Sequence, residues 1–195
     1  MNLKDIVIIG AGGHSKACTN IIELTKKYNI IGYLCNKPEN NDNNFKILGT
    51  DNDIDKISKK CKHFFIGIGQ IKDWKKRFRF FKILKEKKLL IPKILSPNAI
   101  ISKDVKIGEG TIIMNGVIVN SGAVIGNNCI INTGVIIEHD TIISDHCHIA
   151  PGVTICGNVF IDSKTFIGSG SIVNNNINIK KNKIIRSGST VSKDS

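Results

Sequence analysis

The chain has 195 residues, 41% of them hydrophobic, with 28 Lys/Arg against 16 Asp/Glu and a formal net charge of +12. That length gives room for one or two compact domains. Its opening, Met1–Asp5, is short and polar, and the apolar run Ile6–Ile9 is too brief for a signal-peptide core or a membrane span. The expectation is therefore a cytoplasmic protein without membrane insertion.

Ile6-Val7-Ile8-Ile9 reads as a strand, followed at once by Gly10-Ala11-Gly12-Gly13-His14 and then a helix-forming stretch, Ser15 to Lys27. Glycines in such a turn let a phosphate-bearing ligand approach the backbone, and a helix amino terminus offers N–H groups to an anion. The third spaced glycine of a dinucleotide fingerprint is missing. Cys35-Asn36 stands where an acid would bind a ribose hydroxyl, so a full NAD site is disfavoured. A smaller pocket for a nucleotide or sugar nucleotide fits better. Strands are expected at Ile30–Leu34 and His63–Gly67, with the Asn-rich stretch Asn36–Asn44 as a loop. Alternating strands and helices imply a small parallel α/β unit, a Rossmann-like domain over residues 1–94.

Residues 1–94 carry 20 Lys/Arg against 9 Asp/Glu, whereas 95–195 carry 8 against 7, so the charge belongs to the first domain. Much of it lies in a basic amphipathic helix spanning roughly Asp73–Lys88. Phe78, Phe80 and Phe81 have the spacing of a buried stripe, which puts the cations on the wet side and argues against nucleic-acid binding. The six cysteines form no CxxC pair, and Cys129 and Cys147 lie 18 apart, as free, stacked core residues would.

Every sixth residue from Leu95 to Val191 is aliphatic, seventeen positions in succession. That period fits neither a helix nor a flat strand. It fits a chain that turns a corner at fixed intervals and stacks each triangular coil on the last, a parallel β-helix of hexapeptide repeats. The fifth position of each hexad is mostly small or β-branched, as at Ala123, Cys129 and Val135. The second often carries Gly or Asn, as at Gly108, Asn120, Gly126 and Gly168, and these are expected at the corners because they tolerate positive φ.

Three of five histidines fall in ten residues: Glu138-His139-Asp140 and Asp145-His146-Cys147-His148. Neither His139 nor His148 occupies an inward aliphatic slot. Histidine is suited to proton transfer near neutral pH, and a flanking carboxylate, Glu138 or Asp140, can fix its tautomer.

Six segments in this order, Gly10-Ala11-Gly12-Gly13-His14, Phe65-Ile66-Gly67-Ile68-Gly69, Leu95-Ser96-Pro97, Ile131-Asn132-Thr133, Ile137-Glu138-His139 and Cys156-Gly157-Asn158-Val159, resemble the bacterial sugar acetyltransferases of the sialic-acid O-acetyltransferase and UDP-bacillosamine N-acetyltransferase family. The resemblance covers nearly the whole chain. It implies a left-handed β-helix over 95–195 that binds acetyl-CoA, an amino-terminal domain that binds the sugar, and a homotrimer with active sites between subunits. His139 would be the general base and Asp140 its orienting acid, although the bacillosamine enzymes have the longer Glu there. His148 would lie near the acetyl thioester, and Gly157, Ser169 and Ser187 would line the CoA groove. Gly12, Gly13, His14, Asn36, Lys37 and Gly69 would form the sugar-side pocket, with Asn132 beside the base. No metal is implied.

Two departures stand out. Cys35-Asn36 replaces the acidic pair of the bacillosamine enzymes, and the Val-x-Gly-x-Pro-Ala segment common near the family's carboxyl terminus is replaced by Ser192-Lys193-Asp194-Ser195. The expected reaction is acetylation of the amine of a nucleotide-linked amino sugar, for surface glycan synthesis. O-Acetylation of a sialic or related nonulosonic acid is the alternative. A more distant one is a zinc enzyme of the γ-carbonic-anhydrase kind, with His139, His146 and His148 as ligands.

Overall fold

The computed structural model describes residues 3–36, 46–71 and 73–195. The expected loop after Asn36, including Lys37, lies outside them. The chain packs as two units, Met1–Gly69 with Lys75–Pro92, and Gln70–Trp74 with Lys93–Ser195. Nothing in the sequence signals that residues 70–74 group with the second unit.

In the first unit, strands β1 (Lys4–Ile9), β2 (Tyr28–Leu34), β3 (Ile47–Gly49) and β4 (His63–Ile66) alternate with helices α1 (Gly13–Leu24), α2 (Ile54–Ser58) and α3 (Lys75–Glu86). The strands are parallel in the order β3-β2-β1-β4. Ile6–Ile9 is buried at every position without alternation, as expected of a parallel strand covered on both faces. Val7, Ile9, Leu34, Phe64, Ile66, Phe80 and Leu84 form one core. The order reverses beside β1, so the ends of β1 and β4 open a crevice at the switch point, where sheets of this kind receive ligands. β3 and α2 are too short to show periodicity in the sequence. A reciprocal cap marks the start of the turn before α2: Thr50 Oγ1 accepts from Asn52 N, while Asp53 Oδ2 accepts from Thr50 N at 2.8 Å.

The basic helix departs from its expected division into a wet charged side and an apolar one. Arg77 is fully buried and donates to the carbonyls of Ile66 and Ile68, the latter at 3.0 Å, with its guanidinium 5.9 Å from the Phe65 ring centroid. A buried cation needs such partners. Arg77 staples the backbone that leaves β4 toward Gly69.

The second unit is a parallel β-helix. Seventeen two-residue strands, β5 (Ile94–Leu95) to β21 (Thr190–Val191), each hold the sixth residue of one hexad and the first of the next. They stack in three parallel sheets of six, six and five strands, with partners 18 residues apart, as in Ile112↔Ile130↔His148↔Phe166. First and fifth positions, among them Ile125, Ile137, Cys129 and Val135, fill the interior.

The corners correct one expectation. Positive φ falls on the fourth hexad position, at Gly110, Gly116, Gly122, Asn128, Gly134, Asp140, His146, Gly152 and Asn158, and not on the second. Glycine at the second position serves close packing. A Cβ on Gly126 would come within 2.7 Å of Asp145 N, and one on Gly168 within 2.7 Å of Arg186 C, both on the next coil.

Candidate active site

The first unit contributes a cleft of about 210 Å³ lined by Gly10–His14, Cys35, Gly67, Ile68, Gly69 and Lys76. It lies at the switch point. Gly10 has φ of +108°, which turns the chain from β1 into α1, and no side chain caps the first turn of that helix. Ser15 Oγ donates to Gly10 O at 2.7 Å and fixes the turn. Uncapped N–H groups beside Lys76 make this cleft a place for an anion. Behind it, burial pushes the Cys18 thiol up to about 12, with its sulfur 3.4 Å from His14 Nε2. Gly12, Gly13, His14 and Gly69, each expected at the sugar side, line this one cleft. Asn36 lines an adjoining pocket that shares Gly10, Cys35, Ile68 and Lys76. Lys76 faces both pockets, although in sequence it is one cation in a run of them.

In the second unit, His139 is the third residue of its hexad and sits on an outer corner of the prism. Its Nδ1 lies 2.9 Å from Asp140 Oδ2, and both side chains are more than 60% exposed. A carboxylate can only accept, so Nδ1 carries the proton and Nε2 presents its lone pair. Asp140 reaches the ring because the fourth position bends the backbone to φ +59° at this residue. Glu138 is engaged elsewhere: Asn120 Nδ2 donates to its Oε2 at 2.9 Å. Asp140 is therefore the carboxylate that orients the imidazole. Directly beneath, in the next coil, lies Gly157, against which the Nε2 edge of the ring packs.

His148 has a different environment. It is buried, its Nδ1 bonds to the carbonyl of Gln70, and its Nε2 lies 3.2 Å from Asn132 Nδ2. The carbonyl requires a proton on Nδ1, so Nε2 accepts from the amide. Gln70 also donates through Nε2 to His146 O at 2.7 Å, which holds residues 70–74 on this sheet together with Trp74, whose ring lies 4.2 Å from Lys164 Nζ. Asn132, expected beside the base, thus bonds to His148 on another corner. Ser169 and Ser187 stack along the corner that also carries Thr133 and Pro151, whereas Gly157 shares the corner of His139. His146 contributes Nδ1 to Asn128, 3.0 Å away. Among the described residues no three His, Cys, Asp or Glu side chains converge as a metal set, so the histidine trio of the zinc alternative is not assembled.

Residues 5–81 match the model of the PglD N-terminal domain, and residues 122–157 match that of bacterial transferase hexapeptide repeats. The perosamine N-acetyltransferase of Caulobacter crescentus, in the structure of a histidine-to-asparagine mutant with CoA and GDP-perosamine, is 25% identical. The match covers 99% of this chain and 90% of that one, with a TM-score of 0.91. The chain is an acetyltransferase with a PglD-like amino-terminal unit and hexapeptide repeats. The acetyltransferase domain of PglB from Neisseria gonorrhoeae FA1090 is 23% identical over 98% of this chain and 92% of that one, also with a TM-score of 0.91. WeeI from Acinetobacter baumannii AYE has a TM-score of 0.71 at 20% identity, over 96% of this chain and 95% of that one. No curated protein sequence matches significantly. The acetyltransferase is an α/β unit followed by a left-handed β-helix, the handedness that the resemblance implies. In the sequence Lys76 and Arg77 stand only as two cations of the basic run. Gln70 follows the Gly67-Ile68-Gly69 motif without any signal of its own.

Proposed function

We propose that this acetyltransferase moves the acetyl group of acetyl-CoA onto the amine of a nucleotide-linked amino sugar bound for a surface glycan. The His139–Asp140 pair carries this reading: an exposed imidazole held at Nδ1, with its Nε2 edge over Gly157 and not engaged by the carboxylate. The amine attacks the thioester carbonyl as Nε2 removes its proton. The oxyanion collapses, the C–S bond breaks, and the imidazolium returns the proton to the departing thiolate. Asp140 steadies the charged ring in between.

In this reading the first unit holds the nucleotide sugar in the cleft at Gly12, Gly13, His14 and Gly69. The β-helix holds acetyl-CoA along the corners of Gly157, Ser169 and Ser187, near His148. A dyad this open on one chain needs a second wall, which a neighbouring protomer of a homotrimer supplies. A groove between protomers also draws on different corners of the two prisms, as the separation of Gly157 from Ser169 requires. Support for the acceptor comes from the Caulobacter relative, whose structure holds CoA and GDP-perosamine. The cytoplasm, where acetyl-CoA is made, is the expected site of the reaction.

Thiol release from acetyl-CoA, measured across nucleotide-linked amino sugars and sialic acids, tests the acceptor. Turnover confined to the amino sugars is expected, and turnover confined to sialic acids would assign O-acetylation. His139→Ala should lower kcat by about 10²-fold or more with acetyl-CoA affinity retained. Unchanged kcat would remove His139 from the mechanism.

A further inference from the structure

The corner that carries His139 repeats every 18 residues as Ser121, His139, Gly157 and Asn175. Glycine occurs once in that series, and its backbone does not require it: Gly157 is absent from the positive-φ positions, unlike Gly122, Gly134 or Gly152. A side chain is excluded there for another reason. A Cβ built on Gly157 would stand 2.6 Å from Nε2, 2.7 Å from Cε1 and 3.2 Å from Cδ2 of His139. Its three nearest neighbours are thus all atoms of one imidazole. At the second-position glycines Gly126 and Gly168 the neighbours include rigid backbone of the next coil.

We infer that Gly157 is a positioning residue, a seat whose missing side chain sets where the Nε2 edge of His139 rests. The inference rests on His139 as the general base. Three contacts fix the ring. Asp140 holds Nδ1 at 2.9 Å, the 2.9 Å bond from Asn158 N to His139 O ties the backbone to the coil below, and the flat surface of Gly157 supports the reacting edge. A methyl group there would drive the ring outward by roughly 0.8 Å, from 2.6 Å to an ordinary contact of 3.4 Å. The ring is exposed and has room to swing, so the fold should tolerate the change. Proton transfer should not, because misplacement on the ångström scale costs up to about 10²-fold.

The test compares the full-length protein with Gly157→Ala, His139→Ala and the double variant, reading kcat, the dissociation constant for acetyl-CoA and Tm. Gly157→Ala keeps the backbone N–H and should lower kcat by about 10- to 100-fold, with Tm close to wild type and a much smaller change in acetyl-CoA affinity. In the His139→Ala background the same substitution should change kcat by less than about twofold, because the group through which it acts is gone. An equal loss in both backgrounds, or a fall in acetyl-CoA affinity that accounts for the lost rate, would overturn the seat and leave Gly157 as a cofactor contact. If His139→Ala alone leaves kcat unchanged, the base assignment fails. The seat would then stand or fall on the crystal structure of Gly157→Ala, where an undisplaced ring refutes it.

Discussion

At the residue scale, function turns on which atoms of a polar side chain remain available. His139 and His148 lie nine residues apart. One presents a bare Nε2 on an outer corner, whereas the other has both ring nitrogens engaged, by Gln70 O and by Asn132. The basic helix divides in the same way. Arg77 is consumed by the carbonyls of Ile66 and Ile68, while the next cation toward the amino terminus, Lys76, lines the glycine cleft. Lys76→Ala should raise the KM for an anionic acceptor by about 10-fold, the scale of one lost charge-assisted contact, with little change in kcat. The effect should shrink as salt is added. Steady-state kinetics at two ionic strengths would check it, and an unchanged KM would remove Lys76 from acceptor binding.

At the element scale, the hexad is a corner device as well as a hydrophobic period. The fourth residue takes positive φ, and the second lies against the following coil. The two kinds of glycine should therefore respond differently to alanine. Gly168→Ala forces a Cβ into the backbone of Arg186 and Ser187 and should cost about 1–3 kcal/mol. Gly134 has open space around it, so its substitution by alanine meets only the left-handed strain of about 1–2 kcal/mol. Asparagine, already used at Asn128 and Asn158, should recover part of that loss at 134 but none at 168. Chemical denaturation of the four variants would separate the cases.

At the scale of the whole molecule, the proposed reaction is expected to draw on more than one copy of this acetyltransferase. The side chains of His139 and Asp140 are 61% and 66% exposed on the single chain, too open to exclude water from a thioester. Ile142 and Phe160 are exposed on the sheet that follows this corner, and Ile100 and Ile172 on the sheet that precedes it. Light scattering should give three times the 21.4 kDa chain mass. Acetyl-CoA at saturating concentration should raise the Tm. A monomer with full turnover would refute the shared-cleft reading.

The repeat of six, the small parallel α/β unit and the glycine turn were all legible in the sequence. Each is a local rule of period, propensity or dihedral freedom, and stacking strictly periodic coils propagates such a rule without distortion. Even the His139–Asp140 contact is between adjacent residues. Burial of Arg77, the hold of Gln70 on His146 and His148, Lys76 at the cleft and the fit of Gly157 beneath His139 are different in kind. Each joins groups that chain order does not pair, or selects one cation among many, and its energy exists only once desolvation and packing have brought the partners together. Position four became the corner for the same reason. The sequence carries the period, but only a closed coil shows which member of it must bend.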